Sequence, residues 1–172
     1  MNLLPQTYLL GLVGLLAIVA VVVGRQFFRV RRDEARLIEL EKADTASSRQ
    51  SSDLYELGSV QLRKRLYPQA AATLKQALKR LSGEPDEARA LIENALGFAL
   101  AAQKDYSGAT KHYKLALKAK ADYPVALNNL AFAQEKLQKD AEAISLYEQT
   151  LSLEPENATA KKGLKKLKRR NC

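Results

Sequence analysis

Few side chains in this sequence could support acid–base, nucleophilic or metal chemistry. The single histidine, His112, stands beside Lys111 and Lys114 in a helical pattern, with no partner at metal-ligand spacing. We therefore expect His112 to be a solvated residue on a helix face. The sequence contains no phosphate-binding glycine loop and no serine-nucleophile motif. These observations predict a protein that is not an enzyme and uses no cofactor or metal.

The single cysteine, Cys172, is the last residue, which excludes an intrachain disulfide and a cysteine-based metal site. A prenylation signal requires cysteine at the fourth position from the end, so this cysteine does not qualify. The pattern fits a reducing compartment. We expect the thiol to have no functional role.

The net formal charge of +9 is concentrated at two places. Four arginines lie between residues 25 and 32, and seven basic residues without an acidic one follow residue 158. The remainder is slightly acidic, which argues against a nucleic-acid-binding core. We expect neither nucleic acid nor a small-molecule substrate as a partner. The basic tail consists of Lys161, Lys162, Lys165, Lys166, Lys168, Arg169 and Arg170.

An uncharged apolar run covers residues 3–24. As a helix it would be about 33 Å long, enough for a hydrocarbon core of about 30 Å. A cleavable signal would carry basic residues before the run, whereas here the arginines follow it. We predict a single-pass membrane anchor whose following segment stays on the cytoplasmic or stromal side.

Residues 25–50 read as a charged helical spacer that leads into a Ser-rich linker. The spacer continues the helical spacing for a few turns beyond the anchor. The polar segment 44–53, "DTASSRQSSD", lacks apolar residues and predicts a hinge. Asp53 and Glu56 have the spacing of a capping box and predict a helix start.

Three windows of equal length then align without a gap: residues 55–78, 94–117 and 128–151. Small residues recur in fixed columns, as do leucine and aromatic residues, and each window holds two helical patterns around a short break. Two antiparallel helices per copy, stacked on the next copy, predict an α-solenoid. The extra residues between the first two copies fall near 82–86, where glycine and proline indicate a lengthened turn.

The column that contains Gly97 predicts a close helix crossing. Glycine inside a helix is unfavourable by roughly 1 kcal/mol relative to alanine, so a packing requirement must select it. Gly58 occupies the same column in the first copy, and Ala109 recurs as a small residue in the facing helix. We interpret these residues as architecture and not as a binding site.

These columns resemble the tetratricopeptide repeat family, a 34-residue helix-turn-helix module. The leucine-glycine pair, the tyrosine before the second helix, the mid-helix alanine and the closing Pro155 all match, although Ala131 and Asp140 depart from the pattern. The resemblance implies a three-repeat α-solenoid over residues 51–157. Together with the predicted transmembrane helix and a basic capping helix over 158–172, it predicts an all-α protein. The repeats would be residues 51–84, 90–123 and 124–157.

The same resemblance implies a partner-binding groove along the first helix of each repeat. Its largely apolar lining suits an extended peptide or an amphipathic helix. The carboxylate clamp of some co-chaperones is disfavoured, because Tyr55 and Ser59 stand where it needs Lys and Asn. The groove residues are Tyr55, Ser59, Leu62, Arg63, Leu91, Asn94, Phe98, Ala101, Val125, Asn128, Phe132 and Glu135.

The basic segment after residue 158 allows two interpretations. It could be a solvating cap on the last repeat, as repeat proteins require. It could also contact anionic lipid headgroups or an acidic partner.

The layout as a whole is similar to the photosystem I assembly tetratricopeptide proteins of cyanobacteria and plastids. The stretch after the anchor, "GRQFFRVRRDEARL" (residues 24–37), carries this likeness. It implies a thylakoid-tethered assembly factor that holds photosystem I subunits or another assembly factor. The alternatives are a membrane-anchored scaffold or co-chaperone-like adaptor in secretion or envelope assembly, and a lipid- or nucleic-acid-binding protein that acts through its basic tail.

Overall fold

The computed structural model describes residues 4–42 and 50–170, and within these ranges all regular secondary structure is helical. This confirms the predicted all-α class. Residues 44–49 of the predicted hinge, and Cys172, lie outside the described residues. The helices are α1 (Leu4–Lys42), α2 (Ser51–Arg63), α3 (Tyr67–Arg80), α4 (Asp86–Ala102), α5 (Tyr106–Ala119), α6 (Pro124–Lys136), α7 (Asp140–Leu153) and α8 (Ala158–Arg170).

The chain divides into two units, residues 1–43 and 44–172, and α1 is the helix of the first. It runs unbroken for 39 residues, from the apolar run into the charged segment that follows it. Its Tyr8–Arg36 segment has a mean hydropathy of 2.3, and among the described residues it alone is long and apolar enough to cross a membrane. A signal sequence meets the same criterion, so the anchor stays a prediction.

In the second unit, each predicted break between paired helices is a three-residue turn of the same kind. Arg65, Lys104 and Gln138 have φ values of 60°, 66° and 61° and occupy equivalent positions in successive pairs. Non-glycine residues in this left-handed region are strained by about 1 kcal/mol. The recurrence of the strained turn shows that the three helix pairs are built in one way, as the aligned windows predicted.

The helices of the second unit form two layers. Each helix packs on the next along the chain, and α2 contacts α4, α4 contacts α6, and α6 contacts α8. We call α2, α4, α6 and α8 the inner helices, and α3, α5 and α7 the outer helices. The basic C-terminal helix therefore extends the inner layer.

The two layers meet at a seam of small residues packed on large ones. A Cβ atom on Gly97 would lie 2.6 Å from Cε1 of Tyr113, and one on Gly58 would lie 2.7 Å from Cγ of Leu74. Both distances are far below van der Waals contact, so each position excludes a side chain. The structure confirms the packing interpretation of Gly97. The Tyr113 ring is 1% exposed, and burial raises the pKa of its phenol.

The lengthened turn predicted near residues 82–86 accounts for only one of the extra residues. The loop between α3 and α4 spans residues 81–85, with Gly83 at φ 72°, and is one residue longer than the loop at 120–123. Most of the extra residues extend α4, which has 17 residues against 13 in α2. The acidic Asp86 and Glu87 favour this extension, because carboxylates stabilise the positive end of the helix dipole.

The predicted capping box of α2 was misplaced by one turn. The helix begins at Ser51, and the Gln50 backbone N–H donates a hydrogen bond to Asp53 Oδ2 at 3.3 Å. Asp53 is therefore the third helical residue and closes the box instead of opening it. Gln50 takes the capping position that the sequence assigned to Asp53.

Candidate functional site

The exposed side of α4 and α6 carries a row of large apolar side chains. On α4, Leu91 and Phe98 are 42% and 44% exposed, and on α6, Val125 and Phe132 are 53% and 44% exposed. The paired positions are equivalent in consecutive inner helices. We call these four residues the apolar row. It brings together the large apolar members of the predicted groove on these two helices.

The remaining apolar members of the predicted groove are less accessible. Tyr55 and Leu62 of α2 are half-buried and pack against the core formed with α3 and α4. Ala101 of α4 is half-buried against a core that includes Tyr113. Ser59 is half-buried and Arg63 is exposed. The open apolar surface consequently lies on α4 and α6 and not on α2.

The predicted groove asparagines hold the start of the following inner helix. Asn94 Nδ2 donates to the Tyr123 hydroxyl at 3.4 Å, and its Oδ1 accepts from Asn129 Nδ2 at 3.0 Å. Asn128 Nδ2 donates to Asn157 Oδ1 at 3.0 Å. Tyr123 and Asn157 directly precede α6 and α8. These bonds give both asparagines an architectural task, whatever contact they make with a partner.

Glu135, which the sequence placed in the open groove, is 7% exposed. Its carboxylate forms an ion pair with Lys166 of α8. Burial, followed by the nearby Glu135 charge, raises the pKa of Tyr147 to about 12. Glu135 and the equally buried Asn128 therefore face inward in this structure, because Lys166 and Asn157 lie against them. Their contact with a partner stays a prediction.

Most of the basic tail is engaged in ion pairs within the fold. Lys166 pairs with Glu135, Arg170 pairs with Asp140, and Lys168 Nζ lies 3.8 Å from Glu148 Oε1. These three pairs tie α8 to α6 and α7, which is what a cap on the last repeat requires.

Lys161 makes a more local pair, 2.8 Å from Glu156 Oε2, and this contact lowers the pKa of the Glu156 carboxyl. Lys162, Lys165 and Arg169 make no ion pair within the described part of the chain. All three are exposed. The tail thus has a structural set of cations and a free set.

The expectation of a solvated His112 was wrong, since its side chain is only 20% exposed. Its Nδ1 lies 2.7 Å from Oε2 of Glu93, whose side chain is 6% exposed. The two residues lie on α5 and α4, so this contact depends on how the helices pack. Within residues 4–42 and 50–170, no group of three His, Cys, Asp or Glu side chains is arranged to hold a metal ion.

One feature of the apolar row was missed in the sequence. The Phe132 ring meets the Tyr106 ring edge-to-face, with centroids 6.3 Å apart, and Lys136 Nζ lies 5.2 Å from its centroid. In the sequence, Tyr106 stood out only as the tyrosine of the repeat resemblance. That pattern gave no sign that its ring also orients a residue of the inner layer.

Comparison with known proteins decides the family. The tetratricopeptide repeat profile matches residues 126–159, which cover most of α6, α7 and the start of α8. The protein ycf37 of Guillardia theta is 30% identical over 158 residues, which are 92% of this chain and 89% of that protein. The chain belongs to the tetratricopeptide repeat proteins. The ycf37 match covers the α1 region as well as the repeats.

A second relative is a tetratricopeptide repeat protein of the chloroplast. The protein PYG7 of Arabidopsis thaliana is 32% identical over 155 residues, 90% of this chain. The chain spans about half the length of that relative, with 51% covered. Relatives of this tetratricopeptide repeat protein therefore include ycf37 and a chloroplast protein.

Solved structures support the fold of the repeats. The first tetratricopeptide domain of Spaghetti (RPAP3), bound to the HSP90 peptide SRMEEVD, superposes with a TM-score of 0.66 at 24% identity, covering 71% of this chain and 93% of that one. MamA superposes with a TM-score of 0.70 at 21% identity, covering 78% and 76%. Tetratricopeptide repeats are protein-interaction scaffolds and generally lack catalysis.

Proposed function

We propose that this protein is a membrane-tethered scaffold that assists assembly of photosystem I at the thylakoid, holding a photosystem subunit or a fellow assembly factor. The tetratricopeptide fold and the ycf37 and PYG7 relatives support a scaffold in a plastid or cyanobacterial setting. The match to the photosystem I assembly family, through residues 24–37 and the layout, supports the specific client.

The apolar row carries the binding part of this proposal. Phe98 and Phe132 are large side chains held at equivalent positions and left nearly half exposed. Exposed aromatic side chains on a rigid scaffold have the properties of binding hot spots, since they lose little conformational freedom on binding. An amphipathic helix or an extended segment with apolar residues fits such a row.

A chaperone tail is a poorer ligand for this face. The structurally similar Spaghetti domain is bound to an HSP90 peptide that ends in EEVD. Recognition of such a tail by a carboxylate clamp requires cationic and amide side chains on the first inner helix. Here Tyr55 and Ser59 occupy those positions, and both are half-buried. The chemistry of the exposed row is apolar.

Tethering is proposed through α1, with the repeats on the cytoplasmic or stromal side. The segment Tyr8–Arg36 has the length and hydropathy of a membrane span. The four arginines between residues 25 and 32 follow the uncharged part of the helix, and cytoplasmic flanks are enriched in such residues. Alkaline extraction and protease protection of thylakoid vesicles test both points, with an inaccessible repeat unit contradicting the orientation.

Capture from solubilised thylakoid membranes tests the client. The full chain, with α1 intact, should recover photosystem I subunits. The double variant Phe98→Ser, Phe132→Ser should recover at least about tenfold less, because truncating hot-spot aromatics weakens binding by about 2 kcal/mol or more. Helicity by circular dichroism should be unchanged.

The matched control is Leu115→Ser, Leu153→Ser, which removes two similarly exposed apolar side chains from the outer helices. It should capture as well as the natural chain. Equal loss in both double variants would contradict the apolar row. Consistent absence of photosystem I subunits would contradict the client, and recovery of another complex would favour the scaffold for secretion or envelope assembly. Binding that disappears steeply with salt would favour the basic tail.

A further inference from the structure

The surface between α7 and α8 forms a cleft of about 580 Å³ that lies apart from the apolar row. Leu151 of α7 and Leu164 of α8 contribute its apolar part, and both are half-buried. Its other lining residues are all basic. They are Lys161, Lys165, Lys168 and Arg169.

The repeat register explains why this surface is open. Leu164 and Lys165 occupy the positions on α8 that Leu96 and Gly97 occupy on α4. On α4 this pair faces the following outer helix, where Leu96 is fully buried and Gly97 touches Tyr113. Among the described helices, only α6 and α7 pack on α8, so none covers this face. The cleft is therefore the seat that an outer helix would occupy in a fourth pair.

The chemistry of the seat differs from that of the earlier ones. A lysine replaces glycine at the seam position, so a closely packed apolar helix such as α5 does not fit there. Lys165 and Arg169 are exposed and make no ion pair within the described residues. Two free cations beside an apolar floor match a helix that carries carboxylates beside leucine-like side chains.

We propose that the cleft between α7 and α8 binds an acidic amphipathic helix of a partner protein, which completes the fourth helix pair. Charge complementarity argues against a second copy of this chain, since the strongly basic α8 of one copy would lie against the α8 of the other. Leu151 and Leu164 are half-buried, so they offer little apolar area for insertion into a lipid surface. The site is separate from the apolar row, so the inference does not depend on the proposed client.

Two synthetic helical peptides probe the site in the full chain, held in neutral detergent at about 0.15 M salt, where exposed charges are screened beyond about 8 Å. Both have leucine at positions i, i+3, i+4 and i+7. One has glutamate at the flanking positions, and the other has lysine. Fluorescence anisotropy should show at least tenfold tighter binding of the glutamate peptide.

Charge reversal inside the cleft should change the preference. The variant Lys165→Glu, Arg169→Glu should bind the glutamate peptide at least tenfold more weakly and should gain affinity for the lysine peptide. The matched control, Lys111→Glu, Lys162→Glu, changes the net charge equally at exposed residues outside the cleft. Its affinity for the glutamate peptide should fall less than about twofold.

Several results would overturn the assignment. If both charge-reversal variants bound the glutamate peptide equally weakly, the net charge of the protein and not the cleft would determine the affinity. Loss of peptide binding in Phe98→Ser, Phe132→Ser, with the cleft variant unaffected, would place the peptide on the apolar row. Binding of phosphatidylglycerol vesicles without binding of the peptide would assign the cations to lipid. Concentration-dependent dimerisation that Lys165→Glu, Arg169→Glu abolishes would assign the cleft to a second copy.

Discussion

Gly97 and Phe98 are adjacent in α4, yet they belong to different parts of the molecule. Gly97 faces Tyr113 across the seam, where any side chain would collide with a buried ring. Phe98 carries one of the larger side chains of the fold and leaves 44% of it exposed. A helix turns by about 100° per residue, so neighbouring positions can serve packing and binding separately. The seam therefore bears on stability, and the apolar row bears on recognition.

The largest expected effect comes from adding a side chain at the seam. Gly97→Val should lower the free energy of unfolding by about 3 kcal/mol, since overpacking a buried helix crossing forces the rings and backbone apart. Urea denaturation of the full chain in detergent, followed by circular dichroism, measures it. Phe98→Val is the control and should change the same quantity by about 0.5 kcal/mol or less.

A second substitution checks the cause. If the Tyr113 ring is the obstacle, then Gly97→Ala should be rescued in part by Tyr113→Ala, because the three atoms nearest to a Cβ at Gly97 all belong to that ring. Failure of the rescue would show that the Tyr113 ring is not the obstacle. Equal losses of unfolding free energy in Gly97→Val and Phe98→Val would show that the seam and the apolar row do not differ in their contribution to stability.

A large residue also packs on a small one between α7 and α8, and the pH dependence of the unfolding free energy tests this contact. Tyr147 packs against Gly163 of α8 and has a pKa of about 12. An unfolded tyrosine ionises near pH 10, so its burial stabilises the fold fully below that pH and progressively less as pH rises towards 12. Between pH 9 and pH 11 the natural chain should lose about 1.4 kcal/mol more than Tyr147→Phe.

Unfolding by urea at both pH values gives this difference directly. Lysines elsewhere also titrate in this range, but they are common to both proteins and drop out of the comparison. A difference between the two proteins that does not vary from pH 9 to pH 11 would mean that the phenol is not held neutral against α8.

The repeated columns made most of the second unit predictable. A glycine that recurs in a helix, opposite an aromatic or leucine column, has few explanations besides a close crossing, and both Gly58 and Gly97 have that role. The breaks between paired helices were likewise predictable from the local sequence. Gly163 escaped notice because it lies two residues before that column, in a helix without an aligned partner.

Contacts between distant side chains were not predictable in the same way. The pairs His112 with Glu93 and Lys166 with Glu135 join different helices, and only the packing angle and register decide whether such residues meet. One signal was available in the second case. Lys166 continues the column of Phe98 and Phe132 onto α8, so it was positioned beside α6 on register alone.

The smallest expected effect separates the two phenylalanines of the apolar row. Phe132 contacts the Tyr106 ring and lies beneath the Lys136 ammonium, whereas the described structure shows no ring or cation contact for Phe98. Edge-to-face and cation contacts of this kind each contribute about 0.5–1 kcal/mol. Phe132→Leu should therefore lower the free energy of unfolding by about 0.5–1 kcal/mol more than Phe98→Leu.

The same contacts orient the Phe132 ring before a partner arrives, which reduces the conformational freedom lost on binding. Tyr106→Leu, which removes the neighbouring ring and leaves the row intact, should accordingly weaken partner capture about two- to fivefold, roughly 0.5–1 kcal/mol. It should do so in the natural chain and not in Phe132→Leu, since the oriented ring is then absent. Equal weakening in both backgrounds would show that Tyr106 contacts the partner itself, and the boundary between packing and recognition would then run through α5 as well as α4.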